Sequence, residues 1–320
     1  MTHVVVLTAQ EGVPDAFLAE AEKICAAAPR RLGARAAEIP GTAGMAAELH
    51  AALGGAVDVN LVARTGRAKR LLIADMDSTI IPVECIDEIA DVAGVGERVK
   101  EITERAMQGE LDFEGALRAR VRLLRGLPVE ALETVWRERI ALNPGARTLV
   151  QTMNARGAVT ALVSGGFTWF ADRVAEAAGF QHAQANTLLE PILGRQAKLD
   201  ALRRLCAEAG VGLDAAIAVG DGANDLAMVE AAGLGVAYHA KPALAAKANA
   251  VLFVSDLTAL LSLQGIPESD FPPGPAKRLF PGESGARRRL PPPPPGRPLT
   301  PRAAQPSPPA GRLQSAPFRC

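Results

Sequence analysis

The sequence lacks an excess of charge of either sign, because 35 lysines and arginines balance 35 aspartates and glutamates over 320 residues. Without surplus positive charge there is no reason to expect nucleic acid or an anionic membrane as a partner. Long apolar runs are also missing, and none reaches the roughly 18 residues of a membrane span. The first residues lack the basic and apolar segments of a signal peptide, so we expect a cytoplasmic protein.

Cysteine is scarce, and Cys25, Cys85, Cys206 and Cys320 include no pair at CxxC spacing. Four cysteines could form two disulfides, but nothing else in the sequence indicates export. The favoured interpretation is therefore reduced thiols, in the core or on the surface.

Residues 1–67 predict a small α/β domain without a chemical motif. Apolar segments at 4–7 and 57–63 predict strands, and the helical spacing of apolar residues at 14–28 and 41–53 predicts two helices.

Residues 68–271 predict a larger domain with a parallel sheet. An apolar strand at 70–74 is followed later by three strand-then-turn segments, at 157–166, 215–225 and 233–238. Helical patterns lie between them, and this alternation favours a doubly wound α/β sheet covered on both faces. The pattern is helical throughout 83–142, which predicts a helical cap inserted after the first strand.

The segment 272–320 differs in kind, with five consecutive prolines at 291–295 and three arginines at 287–289. It cannot bury enough apolar surface to offset its ordering entropy, so we expect disorder with polyproline-II character. It could dock into a proline-binding domain, although a dispensable extension is the favoured interpretation.

Two carboxylates, Asp75 and Asp77, follow the first strand of the larger domain. Ligands of parallel α/β sheets bind outside the carboxyl ends of the strands. One carboxylate could attack phosphorus while the other transfers protons. The alternative is an ordinary turn or helix cap, in which Asp, Ser and Thr are also common.

Two later strands end in similarly suggestive residues. Ser164 with Gly165 and Gly166 could bind an anion through a hydroxyl and backbone N–H groups, although glycine turns are common. Asp221 could bind a hard cation such as Mg²⁺, and Asn224 and Asp225 could act there or cap the next helix.

A lysine completes this set of polar groups. Taken alone, Lys198 is more typical of a solvated surface charge. Together with the acidic and anion-binding groups it indicates phosphoryl transfer, which requires chiefly positioning and charge neutralisation.

These four motifs resemble those of the haloacid dehalogenase superfamily, in its phosphoserine phosphatase family. The resemblance covers about 71–271 and implies a Rossmann-like sheet with a helical cap. It also implies hydrolysis of O-phospho-L-serine to L-serine and phosphate through an aspartyl-phosphate, the last step of serine biosynthesis. The first 67 residues resemble the variable, sometimes ACT-like and possibly regulatory, extensions of bacterial members.

The resemblance also implies a role for each motif residue. Asp75 would be the nucleophile, and Asp77 the acid and then the base. Mg²⁺ would be bound by Asp75, the backbone carbonyl of Asp77, and Asp221. The remaining roles are phosphoryl binding by Ser164, Gly165 and Lys198, positioning of the phosphate or water by Asn224, and orientation of Lys198 or the metal's waters by Asp225.

The cap resembles that of the same family and implies a site for the amino-acid part of the substrate. Glu84 would bind the ammonium, Arg120 the carboxylate, and Met107 and Phe113 would form the walls. Without the family, Arg120 lies on or beside an apolar helical stripe, where it could also extend past that face to water.

Two alternatives to this function remain open. One is a related enzyme for another small phosphomonoester, such as homoserine phosphate or a phosphosugar. The other is a non-catalytic, amino-acid-sensing paralogue, which the shortened segment around Leu189 and Glu190 would favour, since family members usually carry a hairpin there. The sequence does not give the oligomeric state, and a homodimer is plausible from base rates only.

Overall fold

The computed structural model of the protein describes residues 2–107, 110, 112–186 and 194–272. The strands are β1 (His3–Thr8), β2 (Arg30–Arg31), β3 (Ala36–Pro40), β4 (Asp58–Ala63), β5 (Leu71–Ala74), β6 (Val159–Phe167), β7 (His182–Asn186), β8 (Ala216–Gly220), β9 (Leu234–Tyr238) and β10 (Ala250–Leu252). The helices are α1 (Asp15–Cys25), α2 (Ala43–Leu53), α3 (Cys85–Val92), α4 (Gly96–Met107), α5 (Phe113–Leu123), α6 (Val129–Glu138), α7 (Ala146–Ala155), α8 (Thr168–Ala178), α9 (Arg195–Glu208), α10 (Leu226–Ala231), α11 (Pro242–Ala245) and α12 (Ala259–Leu263).

The larger sheet has six parallel strands in the order β10-β9-β8-β5-β6-β7. Strand β5 lies between β6 and β8, so the chain builds the sheet outward in both directions from it. All four residues of β5 are fully buried. Leu72 and Ala74 pack into the core on one face, and Leu71 and Ile73 into the core on the other. This two-sided burial explains the uninterrupted apolar run, and the predicted doubly wound fold is confirmed.

Four helices, α3 to α6, follow β5 before the chain returns to the sheet at α7. Helices α3 and α6 attach this insert to the main core, through Cys85 and Ile89 on α3 and Val135 on α6. On α4 and α5 the buried apolar residues among those described are Val99 and Ala116.

The N-terminal residues form a second, antiparallel sheet in the order β2-β3-β1-β4. With α1 and α2 the element order is βαββαβ. Strands β1 and β4 and both helices lie where the sequence predicts them, whereas β2 and β3 were not predicted. Strand β3 has the sequence AAEIP, and alanine, glutamate and proline are all depleted in strands, so local preference gives no signal there.

Both faces of the small sheet are buried. Along β1, Val5 and Leu7 pack with the side chains of α1 and α2. Val4 and Val6 point the other way and belong to the same apolar cluster as Leu260 of α12. The small sheet therefore covers part of the main core.

The outer strands of the two sheets are joined by side chains. The Asn60 amide of β4 donates to the Val251 carbonyl at 3.0 Å and accepts from the Val251 N–H at 2.8 Å. Asp58 accepts from the backbone N–H groups of Phe253, Val254 and Ser255 at 2.8 to 3.2 Å. These contacts satisfy backbone groups that a sheet edge would otherwise leave unpaired.

No helix in the described ranges is both long and apolar enough to cross a bilayer. The three cysteines in those ranges, Cys25, Cys85 and Cys206, are buried and unpaired. The proposed tail from 273 onward and the segment around Leu189 and Glu190 lie outside the described residues.

We expect Asp58→Ala to lower the free energy of unfolding by about 3 kcal/mol, because three backbone N–H groups and one hydroxyl lose a buried acceptor. Urea unfolding at pH 7 measures this change. Asp15→Ala is the matched control, since Asp15 is 93% exposed in its ion pair with Arg31, and we expect a change of at most about 0.5 kcal/mol. Equal losses in the two variants would contradict the role of Asp58 as a link between the sheets.

Candidate active site

The chain makes an unusual turn directly after β5. Ile81 N–H donates to the Met76 carbonyl at 3.0 Å, closing a π-turn. Within it Ser78 has φ of 56°, a left-handed conformation that non-glycine residues seldom adopt. The turn places Asp75 and Asp77 at the same edge of the sheet, beyond the carboxyl end of β5.

A buried lysine lies between two carboxylates at this edge. Lys198 Nζ is 2.6 Å from Asp75 Oδ1 and 2.7 Å from Asp225 Oδ1. Lys198 and Asp225 are fully buried, and Asp75 is nearly so. Burial favours the neutral lysine, but the two carboxylates outweigh it and raise the pKa of Lys198 above its usual value. Lys198 is thus a buried, charged member of the site rather than a surface residue.

Asp225 is held by the turn that follows β8. Its Oδ2 accepts from the N–H groups of Asp221 and Gly222, both at 3.1 Å. A Cβ at Gly220 would lie 2.4 Å from Cγ of Asp225, so the close approach requires glycine there. Both oxygens of Asp225 are therefore engaged within the protein, which suits an orienting role.

The carboxylates of Asp75, Asp221 and Asp225 lie close enough together to hold a metal ion, with one oxygen of each within 4.8 Å of the others. Such oxygen ligands suit a hard divalent cation. Among the described residues no side-chain hydrogen bond engages the Asp221 carboxylate, and burial, Asp225 and Glu84 raise the pKa of Asp221 to about 6. The residues present thus fit a metal ion, with Asp75 and Asp221 as the less engaged ligands.

Asp75 has two oxygens in different surroundings. Its Oδ1 accepts from the Met76 N–H at 2.8 Å as well as contacting Lys198. Among the described residues, its Oδ2 is contacted by the Asn224 amide at the long distance of 3.5 Å. Burial and the neighbouring Asp225 raise the pKa of Asp75 well above its usual value, while Lys198 acts in the opposite direction.

Asp77 lies between the cap and β6. Its Oδ1 accepts from the Cys85 N–H at 3.0 Å, and its Oδ2 is 3.5 Å from the Ser164 hydroxyl. Burial and the nearby Glu84 raise the pKa of Asp77 to about 7, against the opposing effect of the Cys85 bond. A carboxyl with that pKa can both give and take a proton near neutral pH.

The predicted anion-binding segment lies inside β6 as the structure has it, and α8 begins at Thr168. The Gly166 N–H donates to the Ser164 hydroxyl at 2.8 Å. A Cβ on Gly166 would lie 2.9 Å from Asp77 Oδ2. Ser164 and Gly166 therefore lie beside Asp77, with Gly165 between them in the chain.

The two charged cap residues, Glu84 and Arg120, both influence the pKa of Asp87. Glu84 is exposed and its Oε1 accepts from the Ser78 hydroxyl at 2.9 Å. Arg120 is half-buried on α5, with its Nε 3.4 Å from the Ala116 carbonyl. Burial and then Glu84 raise the pKa of Asp87 on α3, while Arg120 acts to lower it. Glu84 and Arg120 are therefore both within electrostatic range of the same side chain.

The side chains of Met107 and Phe113 lie outside the described part of the chain, so their placement as pocket walls stays a prediction. Two contacts in the site were not predicted from the sequence. They are the hydrogen bond from Ser78 to Glu84 and the one from the Cys85 N–H to Asp77, although Ser78 belongs to the DxDST motif. Both depend on how the π-turn folds back on α3.

Comparison with known proteins agrees with this geometry. The family model of the haloacid dehalogenase-like hydrolases matches residues 72–230. A phosphoserine phosphatase of Polaromonas sp. is 43% identical over 210 residues, which cover 61% of this chain and 89% of that protein. The chain belongs to the haloacid dehalogenase-like hydrolases, in the phosphoserine phosphatase family. The family inferred from the motifs is thereby confirmed.

Other members of the family differ in length. The phosphoserine phosphatase of Vibrio cholerae is 50% identical over 56% of this chain, and the chain spans 58% of that protein's length. The phosphoserine phosphatase of Haemophilus influenzae is 47% identical over 60% of this chain, and the chain spans 65% of its length. A crystal structure of a probable phosphoserine phosphatase from Vibrio cholerae has a TM-score of 0.70 at 35% identity, covering 84% of this chain and 88% of that one. The similarity in structure thus extends beyond the segment that the family model matches.

We expect Lys198→Met to destabilise the protein by about 3–5 kcal/mol at pH 7.5 in EDTA, because it leaves two buried carboxylates without a counter-charge. The loss should shrink toward pH 5. The folded-state pKa of Asp75 is raised, so its ionisation costs stability above that pKa and the cost falls as protons bind.

Thermal unfolding of both proteins across this pH range is the measurement. Lys23→Met is the control, because Lys23 is 73% exposed in its pair with Glu20. A loss that stays constant from pH 8 to pH 5 would argue against the carboxylate origin of the effect.

Proposed function

We propose that the protein is a phosphoserine phosphatase that hydrolyses O-phospho-L-serine to L-serine and phosphate, the last step of serine biosynthesis. The observation that supports this most is the arrangement of the nearly buried Asp75. One of its oxygens is held by Lys198 and the Met76 N–H, and the other has a long contact with Asn224. The family membership supports the same reaction. One related structure, 40% identical, is described as a phospho-aspartyl intermediate analogue of phosphoserine phosphatase, and another as a substrate-bound complex.

Asp75 Oδ2 is the atom that we assign as nucleophile. It attacks phosphorus, and the bond between phosphorus and the seryl oxygen breaks, leaving an aspartyl-phosphate. Lys198 and Asn224, both in contact with Asp75, would bind the phosphoryl oxygens, together with the Ser164 hydroxyl and the Gly165 backbone. Fixed charges and dipoles of this kind need no reorganisation during the reaction.

Asp77 transfers protons in both halves of the reaction. It protonates the seryl oxygen as that group leaves, and then takes a proton from the water that hydrolyses the aspartyl-phosphate. A pKa near 7 suits both steps. The Cys85 N–H bond holds the carboxyl toward the cap side of the site.

Asp75, Asp221 and the backbone carbonyl of Asp77 would hold a magnesium ion, and Asp225 would orient Lys198 or the metal's waters. When bound, magnesium supplies positive charge that neutralises the phosphoryl oxygens. The assignment is supported by the acidic cluster. Asp225 is the poorer ligand because both its oxygens already accept hydrogen bonds.

Glu84 and Arg120 favour an amino-acid substrate over a phosphosugar, which needs neither charge. Glu84 would bind the ammonium and Arg120 the carboxylate, with Met107 and Phe113 as the walls between them. A non-catalytic paralogue is disfavoured, because the polar residues of all four motifs are intact and lie together at one edge of the sheet. The proposal includes action in the cytoplasm and a homodimer, both from the sequence expectations above.

The direct test is release of inorganic phosphate from L-phosphoserine. We expect wild-type protein with Mg²⁺ to release phosphate, Asp75→Asn to lose at least about 10³-fold in kcat, and EDTA to abolish release until Mg²⁺ is restored. Asp77→Asn provides a second inactive variant. Release that continues unchanged in Asp75→Asn would contradict the assigned nucleophile.

Substrate selection is tested at the two cap charges. Arg120→Ala and Glu84→Gln should each raise KM for L-phosphoserine by about 10- to 100-fold, because each removes a charge-assisted bond to the substrate. The matched control is Arg118→Ala, a neighbour on α5 paired with Glu114, which should leave KM unchanged. An unchanged KM in Arg120→Ala would favour the alternative of another phosphomonoester.

A further inference from the structure

The turn that carries Asp77 has a backbone conformation that its own residues do not favour. It contains a π-turn hydrogen bond and a left-handed Ser78. Such conformations cost of order 1–3 kcal/mol and persist only where the surroundings enforce them. The structure should therefore contain a group that fixes this turn from outside.

One residue binds two consecutive carbonyls of the turn. The Asn143 N–H donates to the Ile80 carbonyl at 2.8 Å, and its side-chain amide donates to the Thr79 carbonyl at 2.7 Å. Any residue except proline could supply the first bond, which comes from the backbone. Among the described residues only Asn143 donates a side-chain hydrogen bond to this turn's carbonyls, so its amide group is specific to the position.

Asn143 lies where the chain returns from the cap to the sheet. Residues 81–84 carry the chain out of the turn into α3, and Asn143 precedes α7, so the two crossings meet at this contact. The return crossing is itself anchored, because the Leu257 N–H donates to the Pro144 carbonyl at 3.1 Å. A Cβ at Gly145 would lie 2.7 Å from Thr258 N, which shows how tightly this crossing packs.

We propose that Asn143 is a positioning residue that holds the π-turn, and with it Asp77, in place. It touches no reacting atom and acts through the Thr79 carbonyl. Asp77 needs this support because the π-turn joins it directly to the outgoing crossing. Displacement of a proton-transferring group by about 1 Å can cost on the order of 10²-fold in rate.

The test compares Asn143→Ala with Asn154→Ala. Asn154 on α7 is also half-buried, and its amide donates to the Gly179 carbonyl at the same length, 2.7 Å, away from the site. Hydrogen exchange of the peptide 75–84 should become roughly tenfold faster in Asn143→Ala only. For L-phosphoserine, kcat should fall roughly 10- to 100-fold with KM within about twofold, while Asn154→Ala loses stability and keeps its kcat.

Asn143→Asp is the second variant, because it keeps the shape of the side chain and its backbone N–H but loses the side-chain N–H donor. It should resemble Asn143→Ala in both readouts. Unchanged exchange of 75–84 in both Asn143 variants would overturn the inference, as would equal stability losses in Asn143→Ala and Asn154→Ala with kcat retained in each. The kinetic readout rests on the proposed function, whereas exchange needs no turnover, so an inactive wild-type protein would overturn the proposed function alone.

Discussion

The ion pairs of Lys198 with Asp75 and Asp225 are the interaction on which the site depends. A lysine with no exposed surface is costly unless anionic partners compensate it, and two carboxylates within 2.7 Å provide that compensation. The same lysine separates two acidic groups that would otherwise repel one another. Burial and these ion pairs therefore act on the pKa of Asp75 as well as on that of Lys198.

The acidic groups divide into engaged and available oxygens. Asp225 uses both oxygens within the protein, and Asp75 uses mainly one. Asp77, beside Glu84, has a pKa of about 7, and Asp221 one of about 6. Four carboxyl groups at one edge of the sheet thus differ in their hydrogen bonding and charge surroundings, although all four are aspartates.

Much of the fold and site could be predicted because it depends on local patterns. Asp75 and Asp221 end buried strands, and parallel strands bring such ends together. Strand β3 was missed because AAEIP has little strand preference and is stabilised by its neighbours in the sheet. Lys198 in isolation is typical of a surface residue, and it is buried by the packing of α9 against α10, β5 and β6. The contacts of Ser78 and Asn143 depend on the path of a π-turn, which no spacing rule describes.

The alternation along β1 has a consequence for how the protein unfolds. Val4 and Val6 belong to the core of the larger sheet, while Val5 and Leu7 belong to that of the smaller one. Neither core can therefore open without disturbing a strand that the other needs. The N-terminal sheet and the larger sheet are consecutive along the chain, yet both bury apolar side chains of β1. Calorimetry should therefore show a single cooperative unfolding transition rather than two.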